Sequence, residues 1–189
     1  MIREARKEEC AALYDLLYEI FLDMELPLLD LLDPETLKTA IVRAMQQDFY
    51  RFSYRNGLVF EEDGEILGCC FGYKGELEKT IDDALYTVFR EMGIASAQAL
   101  FPDPETFAGE WYLDSIVAKK TARGKGIATE LLQALPPVAR ASGEGIIGLN
   151  CEQDNLKAKR LYEKIGFVTT SERILSHHPY DHMQWFFKA

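Results

Sequence analysis

Apolar positions along the chain switch between helical spacing and strand-like alternation, and each switch marks an element. Ile2 to Ala5 reads as a short first strand. From Lys7 to Phe21, Ala11, Leu13, Leu16, Leu17 and Ile20 recur at helical spacing, which predicts an amphipathic helix. Pro27 and Asp33-Pro34 interrupt this region. Pro34 lacks an N–H and so fits the first turn of a second helix running to about Gln47. Leu58-Val59-Phe60 and Ile66 to Phe71 flank Glu62-Asp63-Gly64-Glu65, and an Asp-Gly pair suits the positive φ of a tight hairpin turn. Glu76 to Met92 sets Leu77, Ile81, Leu85, Val88 and Phe89 on one helical face, and Phe101-Pro102-Asp103-Pro104 reads as a loop.

The second half is more regular. Trp111 to Ala118 reads as a strand of mixed alternation, and Ile127, Leu131, Leu132, Leu135 and Val138 mark a helix from Gly124 onward. Pro136-Pro137 should kink that helix or end it early. Ile146 to Cys151 is a short apolar strand of the buried kind. Asn155 to Ile165 is helical and stops at Gly166. Phe167 to Leu175 and Met183 to Lys188 read as two closing strands, joined by a polar turn that holds His177, His178 and His182. The order is strand, two helices, two strands, inserted helix, then strand-helix-strand-helix-strand-strand, a mixed α/β fold. No repeat, low-complexity tract or long linker divides it.

Composition narrows the classes. A length of 189 residues fits one domain, 1–189, with a real core. With 48% hydrophobic and 28% charged residues, it matches an ordinary soluble protein. No apolar run approaches the roughly twenty residues of a membrane span, and the opening Met1-Ile2-Arg3-Glu4-Ala5 is not expected to be a signal peptide. Cys10, Cys69, Cys70 and Cys151 have no paired or CxxC spacing, so reduced thiols in a cytoplasm are expected rather than disulfides or zinc. Cys69-Cys70 sits within the hairpin's second strand and reads as buried small hydrophobes, not a nucleophile. The three histidines match no metal-ligand spacing, so no metal is expected. The formal charge of −10 argues against a nucleic-acid partner. It suits a cationic ligand such as an amine, and serves solubility equally well.

The chemistry concentrates after the fourth strand. Ile116-Val117-Ala118 runs into Lys119-Lys120-Thr121-Ala122 and then Arg123-Gly124-Lys125-Gly126-Ile127-Ala128-Thr129, where the loop opens directly into a helix. Small residues at Gly124, Gly126 and Ala128 allow close backbone approach. The unpaired N–H groups and positive dipole end of a first helical turn hold an anion, and Arg123 and Lys125 add charge. The segment lacks the GxxxxGK[ST] of a nucleotide P-loop. As a dinucleotide fingerprint it fails where Thr129 replaces the third glycine. A plain strand-to-helix turn with two glycines remains the alternative.

Arg123-x-x-Gly126-x-Ala128 resembles the R/Q-x-x-G-x-G/A motif of the GNAT superfamily of acyl-CoA N-acyltransferases. Asn155-Leu-Lys-Ala158-Lys-Arg-Leu161-Tyr162-Glu-Lys-Ile165-Gly166-Phe167 is similar to that family's N-x-x-A-x-x-L/F-Y-x-x-x-G-F block, and one helix plus one strand separates the two, as in the family. The likeness covers Trp111 to Val168 and agrees in element order upstream. The chain departs from the family pattern in a long helical insertion at about 75–108, and in lacking the proline often found before Arg123.

The resemblance implies a mostly antiparallel sheet of about seven strands, helices on both faces, and a splay between strands 4 and 5. It implies acetyl-CoA as cosubstrate and direct acetyl transfer to a primary amine in a ternary complex. A small-molecule acceptor is favoured because the insertion could narrow the acceptor cleft. A peptide or protein acceptor, or a non-catalytic acyl-CoA sensor, stands as the alternative, and a homodimer is a family expectation. Carried over by position, Ile116, Val117 and Ala118 would pair with the pantetheine arm. Arg123, Gly124, Lys125, Gly126, Ile127, Ala128 and Thr129 would hold the pyrophosphate, and Asn155 would bond the cofactor. Tyr162 matches the tyrosine that gives a proton to the leaving thiolate. For the base, Glu110, Tyr112 and Asp114 share a strand face if no bulge intervenes. Asp114 is the first choice, because many relatives carry an acidic residue at that distance from the motif, and Glu110 is the second.

Overall fold

The computed structural model describes residues 1–23, 28–94 and 102–187. Pro27, Phe101 and Lys188, on which three of the boundaries above rest, lie outside the described residues, as does the part of the insertion at 95–101. The strands are β1 Ile2–Glu4, β2 Gly57–Glu62, β3 Glu65–Lys74, β4 Trp111–Ala118, β5 Ile146–Glu152, β6 Val168–Leu175 and β7 His178–Phe186. The helices are α1 Cys10–Asp23, α2 Leu28–Leu31, α3 Pro34–Met45, α4 Asp83–Glu91, α5 Ile127–Gln133, α6 Leu135–Ala141 and α7 Leu156–Ile165.

The strands form one sheet in the order β1-β2-β3-β4-β5-β7-β6. Neighbours run antiparallel except β4 and β5, which are parallel. Two apolar layers flank it. On one face α1, α3 and α4 pack Leu13, Leu17, Leu37, Ile41 and Phe89 against Val59, Cys69, Phe71 and Val117. On the other, Ile127, Leu131, Leu132, Leu135 and Ala139 of α5 and α6 cover Leu67, Cys70, Leu113, Ile147 and Leu149. Leu131 and Leu132 are wholly buried, each contributing about 1.5–3 kcal/mol of apolar transfer. All four cysteines are buried and unpaired. Cys69 and Cys70 face opposite layers, and burial pushes the Cys70 thiol up to about 12, so both act as core residues.

Local signals explain most boundaries. Asp33 caps α3 by accepting from Thr36 N at 3.0 Å, with Pro34 in the first turn. The β2–β3 hairpin turns on Asp63 and Gly64, both at positive φ. Asn155 and Gly166 cap the two ends of α7.

Two expectations are corrected. The helix expected over Glu76 to Met92 begins only at Asp83, after a 3₁₀ turn at Gly75–Leu77. Leu77 and Ile81 pack with Tyr73 and Tyr112, whereas Leu85, Val88 and Phe89 join the α1–α3 layer, so their common spacing spans two different elements. The helix after Gly126 breaks at Ala134 into α5 and α6, in line with the kink or early end expected at Pro136-Pro137, because the prolines cannot donate to the preceding turn. The polar turn before the last strand shrinks to Ser176-His177, both at positive φ. His178 to His182 belong to β7, and His182 is fully buried.

Candidate active site

Strand β4 keeps its partner on one side only. It pairs with β3 from Gly68↔Ala118 to Lys74↔Trp111, but its ladder with β5 consists of Trp111↔Ile147 and Tyr112↔Gly148. Beyond Tyr112 the two parallel strands diverge, and a cleft of about 760 Å³ opens there. A register shift places Leu113 opposite Gly72 and Ser115 opposite Phe71, leaving Asp114 as the extra residue of a bulge. The bulge falls on Asp114 itself, so simple alternation relates only Glu110 and Tyr112, and it is the shared cleft that brings Tyr112 and Asp114 together. Of the three residues expected along the pantetheine, Ile116 lines the cleft. Val117 turns into the α1–α3 layer, and the Ala118 carbonyl accepts from Arg123 Nε at 3.4 Å.

The loop after β4 is built for backbone exposure. A 3₁₀ turn at Lys120–Ala122 anchors it through buried Ala122. Gly124 and Gly126 take φ of 82° and 85°, and Gly126 opens α5 with no side-chain cap. The first bond into the helix is Glu130 N→Gly126 O at 3.1 Å. The amides of Ile127, Ala128 and Thr129 therefore precede the helical ladder and suit an anion. Arg123 and Lys125 are exposed beside them; Arg123 pairs with Glu19 at 3.1 Å and Lys125 lies 4.0 Å from Glu62.

Helix α7 brings Asn155, Ala158 and Tyr162 to the same cleft. The Asn155 side-chain oxygen accepts from Ala158 N at 3.1 Å, so its amide nitrogen is the part left for a ligand. The Tyr162 ring stacks edge-on to Phe167 at 5.8 Å. Burial pushes its phenol well above the usual tyrosine range, which keeps the proton on the oxygen at neutral pH.

Across the cleft lies a polar network with no counterpart in the motifs. Arg51, between α3 and β2, has a side chain 2% exposed. It grips Asp82 through Nε and Nη2 at 2.9 Å each, and Asp114 through Nη1 at 2.9 Å. Glu105, in the loop before β4, stands 3.6 Å from the same Nη1 and accepts from Tyr112 Oη at 2.9 Å. Asn150 Nδ2 donates to Tyr112 Oη at 3.0 Å and to the Glu105 carbonyl at 2.9 Å. Its oxygen meets His182 Nδ1 at 2.7 Å, and His182 Nε2 meets Glu110 at 3.0 Å. Glu110 also accepts from Gln184 Nε2 at 2.7 Å and Phe107 N at 2.9 Å. Asp114, Glu105, Tyr112 and Asn150 line the cleft, whereas Glu110, read from the sequence as a candidate base, does not. Burial raises the Asp114 carboxyl while Arg51 pulls it back.

Arg51, Asp82, Glu105 and Asn150 escaped the sequence reading, which places His182 only in a polar turn. For Arg51 a signal existed: an arginine between Tyr50 and Phe52 is set among residues that belong inside. Glu105 and Asn150 carried none, since their partners lie far off in sequence.

The sequence matches the family described as acetyltransferase (GNAT) over residues 11–167. No curated protein matches it. Among solved structures, an acetyltransferase is similar at 41% identity over 100% of both chains, with a TM-score of 0.92. An N-acetyltransferase from Staphylococcus aureus Mu50 is similar at 30% identity over 97% of this chain and 99% of its own, with a TM-score of 0.85. In fold alone, yncA of Salmonella typhimurium, solved with its cofactor acetyl-CoA, is similar at 19% identity over 100% and 94% of the chains, with a TM-score of 0.62.

Proposed function

The chain belongs to the acetyltransferase (GNAT) family, and on that footing we propose that it moves acetyl from acetyl-CoA to a primary amine of a small molecule in one ternary complex. The observation that carries this reading is that a single cleft takes in both Tyr162 with the open edge of β4 and the carboxylates of Glu105 and Asp114. Bound acetyl-CoA supplies an acetyl group activated as a thioester. The splay beyond Tyr112 and the uncapped start of α5 fit its arm and its pyrophosphate, with Arg123 through Thr129 and the Asn155 amide as the polar contacts. Tyr162 keeps its proton in the resting protein and donates it to the departing sulfur. The carboxylates opposite attract an ammonium group, and one of them takes up its proton.

A small acceptor is favoured by how the far end of the cleft is tied. Arg173 on β6 donates to the carbonyls of Pro104 and Thr106 at 2.9 and 3.2 Å, and Ser176 N donates to Asp103 Oδ2 at 2.7 Å. The β6–β7 hairpin is thus bound to the loop at 102–107, and a through-running peptide would have to break those bonds.

The test is calorimetric titration with acetyl-CoA, then thiol release against monoamines, diamines, amino sugars, amino acids and peptide N-termini. Wild type is run beside Tyr162→Phe. Micromolar binding and turnover on a small amine are expected, with kcat lower by on the order of 100-fold in Tyr162→Phe and acetyl-CoA affinity unchanged. Turnover on peptides alone would move the acceptor to proteins, binding without turnover would point to a sensor, and no binding would overturn the reading.

A further inference from the structure

A residue that takes a proton from an ammonium must reach the cleft and keep an oxygen free. It must also be basic near neutral pH. Glu110 fails the first condition: its carboxylate is 1% exposed and both oxygens are taken by Phe107 N, His182 and Gln184. Asp114 reaches the cleft, but Oδ2 is held by Arg51 at 2.9 Å and Oδ1 accepts from Ser115 Oγ at 3.0 Å. Burial raises this carboxyl in spite of Arg51, but with both oxygens occupied it fails the condition of a free oxygen.

Glu105 meets all three conditions. One oxygen accepts from Tyr112 Oη; the other lies 3.6 Å from Arg51, beyond hydrogen-bond reach. Its main chain is pinned on both sides, the N–H by Glu78 and the carbonyl by Asn150. Asn150 spends its NH2 on Tyr112 and the Glu105 carbonyl, so its oxygen faces His182 Nδ1, and His182 Nε2 lies 3.0 Å from Glu110. This line fixes the Tyr112 hydroxyl as a donor to Glu105.

We infer that Glu105 is the base that removes the acceptor's ammonium proton, with Tyr112, Asn150 and His182 as positioning residues. The inference rests on the transferase reading. Glu105 takes one proton from the ammonium, and the nitrogen forms its bond to the acetyl carbon. The carbon–sulfur bond breaks as Tyr162 protonates the sulfur. Tyr162 is restored by the second proton of the nitrogen, and Glu105 returns its own to solvent. Around Glu105, among the described residues, stand Arg51 before β2, Tyr73 on β3, Glu78 before α4, Tyr112 and Asp114 on β4, and Tyr180 on β7. Burial is the main cause that pushes its carboxyl up to about 7, against the pull of Arg51 and the Tyr112 bond.

The experiment follows kcat/KM against pH, with the panel amine that wild type turns over fastest. In parallel, carboxyl-carbon NMR reads the titration of the free protein. Wild type should rise with unit slope through about pH 7, and one side-chain carboxyl should titrate there. Glu105→Gln should lose that resonance and the rising limb, with kcat/KM at pH 7.5 lower by on the order of 100-fold, while thermal melting shows it folded. Glu105→Asp should regain part of the rate. Tyr112→Phe removes a donor to the carboxylate, so limb and resonance should both move to higher pH. If Glu105→Gln keeps the limb, or Asp114→Asn alone removes it, the assignment is overturned. A wild type inert toward every amine would overturn the transferase reading itself.

Discussion

The two sides of the cleft are made of different material. The side with β4, the Gly124–Gly126 loop and the ends of α5 and α7 is mostly main chain. Its features are strand divergence, two glycines at positive φ and amides ahead of the helical ladder. The opposite side is side chains drawn from separate segments: Arg51 bonds Asp82 and Asp114, Glu105 joins Asn150 and His182 through a second set of hydrogen bonds, and a 3.6 Å ion pair between Arg51 and Glu105 links the two sets. Backbone features need only a few residues in fixed order, so they tolerate substitution around them. A converging network depends on every member, because a buried polar group left alone costs more than a satisfied one contributes.

That contrast is broken hardest at Arg51. The guanidinium is the cation between Asp82, Asp114 and Glu105, all nearly buried. Arg51→Leu would leave buried carboxylates without their counter-charge, and about 3–5 kcal/mol of stability should be lost. Urea unfolding at neutral pH measures it. A loss under about 1 kcal/mol would mean that the acceptor side is as tolerant as the cofactor side.

Glu105 sharpens the same contrast through its sign. Its folded-state carboxyl is raised from 4.5 to about 7, so the folded protein binds a proton that the unfolded chain has released. The stabilisation is complete below about pH 4.5 and is lost as pH rises toward 7. Glu105→Gln removes this dependence, because a neutral amide can still accept from Tyr112. At pH 8 the variant should therefore be more stable than wild type by up to about 3 kcal/mol, and the gap should close by pH 4.5. Unfolding midpoints at the two pH values read it directly. The residue would then cost stability where it acts, as expected of a strained functional group.

The same division decides what the sequence disclosed. The α3 cap at Asp33-Pro34, the Asp63-Gly64 hairpin, β4 from Trp111 to Ala118 and α7 between Asn155 and Gly166 are written in adjacent residues, and the structure carries them. The mostly antiparallel sheet, the β4–β5 splay and the family followed from two short motifs in order. The start of α4 was missed because Leu77 and Ile81 mimic a helical face while serving another cluster. His182 was read as part of a polar turn because its compensation is remote: Asn150 and Glu110 make its burial affordable. Glu105 sits in a loop, and nothing local marks it. Sequence periodicity reports which face is apolar, and it is silent about which polar groups converge from distant segments.

The smallest expected effect tests the cofactor side. Gly126 opens α5 at φ 85°, with nothing within 4 Å of an added Cβ. Gly143, after α6, has φ 89° and equally open space. Alanine at either position should cost about 1–2 kcal/mol for the left-handed backbone and nothing for packing. The two should diverge only in ligand binding. Gly126→Ala puts a methyl at the amides assigned to the pyrophosphate, and acetyl-CoA affinity should fall about tenfold, equivalent to about 1.4 kcal/mol. Gly143→Ala should leave affinity unchanged at the same loss of stability. Calorimetry beside thermal melting separates the two effects. Equal affinities in the two variants would mean that the anion is held by the side chains of Arg123 and Lys125, and the cofactor side would then resemble the acceptor side more than its backbone suggests.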